Sequence, residues 1–201
     1  VVLSRGLGDV YKRQKEDFII WFALLALFGF FLFMPLDAEG GTQPKIEYHD
    51  NDSFISSVKT CADYENSLVD EADQVPVEII AAMAVLETGY GQSRFAHEAN
   101  NLFGIRTWDM DSPHVKPLNY ATTKWAVKKY NTKCDSVKDM MRILNNLHFY
   151  EKFREARLNF LNNVGYSLYD MVDTLSPWST NPRYTELVNN RVKHIQIAFT
   201  D

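Results

Sequence analysis

Glu87 closes the apolar run V-P-V-E-I-I-A-A-M-A-V-L-E that starts at Val75, and it is the residue with the clearest chemical potential. Ile79, Ile80, Met83 and Leu86 recur at helical spacing, Pro76 suits a first helical position and Glu78 a first turn. Gly89 and Gly91 then stop the helix, which puts Glu87 in its last turn. There it faces the negative end of the helix dipole among apolar neighbours. Both effects disfavour the charged form and predict a raised pKa. A carboxyl kept protonated near neutral pH can donate a proton to a leaving group. The plainer alternative is a solvated helix end.

The residues that follow favour chemistry. E-T-G-Y-G-Q-S-R-F-A, from Glu87, leads to N-N-L-F-G-I, from Asn100. This joined pattern resembles the glucosaminidase domain of bacterial cell-wall hydrolases, glycoside hydrolase family 73, and its Bax-type subgroup in particular, with E-S-G-W-G-x-S-R and N-N-L-F-G. Thr88 replaces Ser and Tyr90 replaces Trp. Downstream, S-T-N-P-R-Y-T at Ser179 to Thr185 resembles the family's A-T-D-P-x-Y-A, with Tyr184 on its tyrosine and Asn181 where Asp is usual. The resemblance runs from about Phe54 to about Ile197.

It implies a mainly α, lysozyme-like helical domain with one small β-hairpin. The implied activity is an endo-β-N-acetylglucosaminidase that cuts peptidoglycan glycan strands between N-acetylglucosamine and N-acetylmuramic acid, with no cofactor or metal. Glu87 is the implied general acid, and Tyr184 is expected to help orient the sugar or water. Tyr90, Ser93, Asn100, Asn101, Phe103 and Trp125 are the expected substrate-binding residues. Flat rings stack on sugar faces, so Trp108 and Trp178 are further groove candidates, although core packing is the ordinary use of each aromatic.

One departure bears on mechanism. Family members commonly carry a second glutamate just before a V-x-x-F-like strand, and matching A-V-K-K-Y to that strand puts Ala126 there, after Lys124 and Trp125. Asp109 and Asp111 in R-T-W-D-M-D are the nearest hairpin acids and the candidates for a displaced second carboxylate. Their other reading is as turn-shaping residues before Ser112 and Pro113. Glycoside hydrolysis ordinarily uses two carboxyls, and substrate-assisted enzymes are an exception. Three routes follow: an aspartate base, attack by the substrate's own N-acetyl oxygen, or glycan binding without cleavage. A lytic-transglycosylase-like reaction also needs only one Glu.

These residues must be positioned by a chain of 201 residues, enough for one domain with a sizeable core plus an appendage. The net charge of −5, without a Lys/Arg-rich run, argues against a nucleic-acid partner. Residues 1–14 are expected to be foreign: S-R-G-L-G-D-V-Y-K-R-Q, Ser4 to Gln14, looks like an in-frame translation of a sequencing-library adapter, which hides the natural N-terminus. Excluding Arg5, Asp9, Lys12 and Arg13 takes away +2 and leaves −7. In segment 15–36, Phe18 to Leu36 is a run of 19 uncharged residues, long enough to span a bilayer. Lys15 before it and Asp37 and Glu39 after it predict an inner-membrane signal-anchor with the domain facing the periplasm. A cleaved signal peptide and a secreted domain are the alternative.

Residues 37–52 read as a polar linker and 53–201 as the domain. Its first helix is expected from a cap at Asp52 or Ser53 to about Asp70, with Phe54, Val58, Cys61, Ala62 and Leu68 inward. After the Glu87 helix, Trp108 to Asn131 favours a hairpin. Asp135 or Ser136 should open a helix with a Val137, Met140, Met141, Leu144 and Leu147 stripe, and Asp139 should complete a capping box. Glu151 to Leu161, Ser167 to Leu175 and a helix from Pro182, capped by Thr180 or Asn181, complete the set. Cys61 and Cys134 are expected to be independent, since sequence alone does not bring two Cα atoms into bridging range, although an oxidising periplasm permits a pair. His97, His114, His148 and His194 lie on different elements outside any metal-ligand spacing.

Overall fold

The computed structural model describes residues 41–118 and 123–198. The expected foreign residues 1–14, the apolar segment 15–36 and the start of the linker lie outside the described residues. Among the described residues no helix is long and apolar enough to cross a membrane. Gln43–Asp201 forms one compact unit. That unit begins before Ser53: Ile46 is in the core, and Gln43 Nε2 donates to Glu65 Oε1 and Asp135 Oδ1, both at 3.1 Å.

Helix α1 spans Asn51–Asn66, opened by a reciprocal capping box between Asp50 and Ser53. Phe54, Val58, Cys61 and Ala62 are fully buried on its inner face, but the helix ends before Leu68, which is 52% exposed. Helix α2, Val77–Thr88, follows a short 3-10 turn at Glu71–Asp73. Ile79 through Ala84 are all fully buried, so α2 is apolar on every side and runs through the core. It packs against α1 and, most extensively, against α7 (Tyr184–Ala198).

The chain leaves α2 through three successive left-handed residues, Gly89 (φ 58°), Tyr90 (φ 61°) and Gly91 (φ 77°). Thr88 Oγ1 accepts from Gly91 N at 2.7 Å and donates to Ala84 O at 2.6 Å, so Thr in place of Ser keeps the hydroxyl that closes this turn. A Cβ on Gly91 would collide with the Tyr48 and Phe54 rings. Helix α3, Arg94–Glu98, is capped by Ser93, and the N-N-L-F-G loop leads from it into the sheet.

The expected hairpin is a three-stranded antiparallel sheet. Strands β1 (Arg106–Thr107), β2 (His114–Val115) and β3 (Ala126–Lys128) lie in the order β1-β3-β2. Thr107 pairs with Ala126 and Arg106 with Val127, while Val115 also pairs with Val127. Strand β3 is therefore central, and the extra strand comes from His114–Val115, where no alternation marks it.

Helix α4 spans Lys133–Asn146 and is capped earlier than expected, by Thr132 with Asp135. Asp139 is thereby free of capping. It is buried and receives Lys128 Nζ at 2.6 Å, Tyr130 Oη at 2.7 Å and Arg142 Nε at 2.8 Å, tying the sheet to α4. Burial alone would raise its pKa, but these three donors hold it below the usual carboxylate range. Leu147 lies past the helix end and is 40% exposed. Cys61 and Cys134 are not independent: they form a disulfide, with Cα atoms 5.8 Å apart, joining α1 to the first turn of α4. The tertiary packing of α1 on α4 brings the two within reach, a contact with no trace in local sequence.

Helix α5 covers Glu151–Leu161, as its spacing predicts, after a 3-10 turn at His148–Tyr150. Helix α6 is Leu168–Asp173, capped by Ser167, and a 3-10 turn at Ser176–Trp178 precedes α7. Helix α7 starts at Tyr184, two residues after Pro182, because Asn181 Oδ1 accepts from Arg183 N and holds a separate turn.

Candidate active site

Glu87 sits in the last turn of α2 and is partly buried. The N-N-L-F-G loop crosses in front of it: Gly104 has φ +64°, and a Cβ placed there would lie 4.0 Å from Glu87 Oε2. From the other side comes Tyr184, at the start of α7 and 4% exposed. Its hydroxyl is buried and makes no hydrogen bond of regular geometry, yet it stands close enough to Glu87 for each group to feel the other. The end of one helix, a glycine loop and the start of another thus converge on one carboxylate.

Burial is the main cause that raises the Glu87 pKa, and Tyr184 offsets part of it by offering a hydroxyl to the ionised form. Tyr184 is pushed upward by burial first and then by the Glu87 charge, so its proton is firmly held. Tyr184 thus keeps its proton, and the hydroxyl it offers to Glu87 braces the ionised carboxylate.

Aromatic residues extend the site. Phe103, 2% exposed, meets Trp178 edge-on at 6.5 Å between centroids, and Trp178 lies 6.0 Å from Tyr150. Tyr150 also acts electrostatically on Tyr184, and burial pushes its own pKa up to about 12. Tyr150 has no motif around it in H-F-Y-E-K, and only its place beside Trp178 and within reach of Tyr184 brings it in. Gly104 did carry a signal, as the glycine that ends N-N-L-F-G.

The expected sugar-binding residues have diverse placements. Asn101 is 1% exposed and fully used by the backbone: Nδ2 donates to Ile105 O at 2.9 Å and Lys128 O at 2.8 Å, and Oδ1 accepts from Phe103 N and Ile105 N. An amide makes four such bonds at most, so none remains for a ligand. Asn100, at φ 51°, donates from Nδ2 to Tyr130 O and Asn131 O. Ser93 spends its hydroxyl on Ala96 N. Tyr90 packs towards Phe54, with centroids 6.3 Å apart. Trp125 lies under the Arg106 guanidinium, 4.0 Å from the ring centroid.

Ala126 is fully buried at the start of β3, so no carboxylate stands at the place expected for the second glutamate. Asp109 and Asp111 are exposed between β1 and β2, where Asp109 Oδ1 accepts from Asp111 N at 3.0 Å and Asp109 O from Ser112 Oγ. The Asp109 carboxylate shapes that turn, whereas Asp111 enters it through its backbone N–H. Among the described residues no group of three His, Cys, Asp or Glu is arranged to hold a metal; His97, His148 and His194 are exposed and His114 is partly buried on β2.

Residues 47–197 match the Glucosaminidase family, described as mannosyl-glycoprotein endo-beta-N-acetylglucosaminidase. The chain belongs to the glucosaminidase family. Two curated relatives are similar to this glucosaminidase chain. Protein bax of Escherichia coli is 28% identical over 92 residues, covering 46% of this chain and 32% of that protein. An autolysin of Enterococcus faecalis is 26% identical over 145 residues, covering 68% of this chain and 19% of that protein. The matched part is thus a third or less of either relative's length.

The fold is shared with solved structures. The catalytic domain of the autolysin Auto from Listeria monocytogenes superposes with a TM-score of 0.57 at 20% identity, covering 77% of this chain and 90% of that one. The glycoside hydrolase domain of FlgJ from Salmonella typhimurium gives 0.54 at 18% identity, covering 75% and 91%. A peptidoglycan hydrolase from Sphingomonas sp. A1 gives 0.53 at 19%, covering 73% and 93%.

Proposed function

We propose that this glucosaminidase domain is a peptidoglycan hydrolase, an endo-β-N-acetylglucosaminidase that cuts the glycan strand with Glu87 as general acid. The observation that carries the reading is the convergence on Glu87 of Gly104 and the buried Tyr184 hydroxyl, with burial holding the carboxyl's proton affinity high. Gly104 leaves the space beside Oε2 open to a glycosidic oxygen. Glu87 donates its proton there as the bond to the leaving sugar breaks, and Tyr184 steadies the sugar or the incoming water. Phe103, Trp178 and Tyr150 form the adjacent aromatic wall, and Asn100 Oδ1 and Tyr90 are the remaining sugar contacts from the motif.

Asp109 or Asp111 serves as second carboxylate in this reading. Cleavage by Glu87 alone, in the manner of a lytic transglycosylase, is the second reading, and the buried Ala126 favours it. Action outside the cytoplasm is supported by the Cys61–Cys134 disulfide, which suits an oxidising compartment, and by the Phe18 to Leu36 run as anchor or signal.

The test is Glu87→Gln assayed on purified sacculi. Release of soluble muropeptides is expected to fall by at least about 10²-fold while sacculus binding is kept, the loss typical for a general acid. Full release by the variant would sink the assignment, and sacculus binding without release by the wild type would make the domain a glycan-binding module.

A further inference from the structure

An apolar pocket of about 610 Å3 opens between the first turn of α3, the Pro117–Leu118 segment and Trp125, with Arg94 and Phe95 in its wall. Arg106 on β1 stacks on Trp125, one of the lining residues, with 4.0 Å from guanidinium carbon to ring centroid, and has no carboxylate partner among the described residues. Lys124 is exposed beside it. The surrounding stretch is basic against the trend of the molecule: residues 94–133 hold seven Lys and Arg against three Asp and Glu, with Arg94 paired to Glu98 and Lys128 to Asp139. On a peptide-bearing strand the sugars themselves are uncharged, because the lactyl carboxyl of muramic acid is taken up in the amide to the peptide, and they give no use for such a rim. On peptidoglycan strands the negative charge is borne by the short peptides hung on the muramic acid lactyl group, through glutamate and terminal carboxylates.

We infer that the Arg106–Trp125 pocket takes the acidic stem peptide of the strand, so that the domain selects peptide-bearing glycan over denuded glycan. The inference rests on the reading of the domain as a peptidoglycan glucosaminidase. A guanidinium offers a carboxylate two parallel donors, and stacking on Trp125 orients Arg106 before the ligand arrives. The apolar walls between Phe95, Leu118 and Trp125 receive the peptide's methyl and methylene groups. Arg94 is held in place by Glu98 and Lys116 O and adds a second cation on the α3 side.

The experiment has two arms with the full chain. In the first, kcat/KM is compared on soluble glycan strands with peptides and on the same strands stripped by an amidase, which leaves a single lactyl carboxylate on each muramic acid close to the sugar ring in place of the longer acidic peptide. The wild type is expected to favour peptide-bearing strands by about tenfold, and Arg106→Glu to bring the ratio to about one, the size of one well-formed ionic contact. In the second, calorimetric titration with Ac-L-Ala-γ-D-Glu-L-Ala is expected to show binding that Arg106→Lys weakens and Arg106→Glu abolishes. Thermal melts check folding, and Arg106→Gln stands in if Arg106→Glu melts early. A wild-type ratio of one, an unchanged ratio in Arg106→Glu, or equal binding of glycerol phosphate overturns the inference. Should the wild type cut neither strand while the peptide still titrates onto Arg106, the glucosaminidase reading fails and the peptide site stands.

Discussion

At the residue scale, type and motif position do not by themselves tell a group that reacts from one that braces. Asn101 and Glu87 belong to the same joined motif, but Asn101 spends four hydrogen bonds on the backbone whereas Glu87 is a largely buried carboxyl whose side-chain neighbour is Tyr184. Local sequence suggested that both the helix dipole and burial raise the Glu87 pKa, and burial is what dominates in the fold. A consequence for stability follows from the sign of that shift. A carboxyl whose pKa is raised on folding costs nothing where both states are protonated, and destabilises the fold as pH rises through the ordinary range near 4.3 and past the folded value. Glu87→Gln removes this cost, so its melting temperature should match wild type at about pH 3.5 and exceed it at pH 7. A difference that stays constant with pH in thermal melts would contradict the buried, proton-retaining carboxyl.

At the element scale, the site depends on the meeting of the α2 C-terminus, the N-N-L-F-G loop and the α7 N-terminus. Gly104→Ala tests that meeting. The left-handed φ should cost about 1–2 kcal/mol for a residue with a Cβ, seen as a lower denaturation midpoint. The new methyl beside Glu87 Oε2 should also lower muropeptide release severalfold; wild-type release from a folded variant would remove Gly104 from the site. Elements were legible where local signals agree. The Glu151 to Leu161 helix has the expected bounds, and the α1, α2 and α4 stripes are buried as their periods predict except at Leu68, Leu86 and Leu147 near or beyond the helix ends. Helix ends and the sheet were less legible because tertiary partners decide them. Thr132 outcompetes Asp135 as the α4 cap, which frees Asp139 for Lys128, Tyr130 and Arg142. Strand β2 is two residues whose only credential is pairing with β3. Glu87 and Tyr184 were singled out through motifs, but Tyr150 was not, since only its place beside Trp178 and within reach of Tyr184 relates it to them.

At the scale of the whole molecule, one core runs through α1, α2, α4 and α7, and the Cys61–Cys134 disulfide fastens α1 to α4 within it. Closing a loop of 73 residues predicts a stabilisation of about 4 kcal/mol by the chain-entropy argument. Cys61→Ser with Cys134→Ser should therefore melt well below wild type, and dithiothreitol should lower the wild-type melting temperature to the variant's. Identical melts for oxidised wild type and variant would contradict a stabilising bridge. The central claim concerns the bond that is cut. Mass spectrometry of the fragments released from purified sacculi tests it most directly: new reducing N-acetylglucosamine ends are expected from the wild type and their absence from Glu87→Gln, whereas anhydro-muramic ends, or the same reducing ends from the variant, would contradict it.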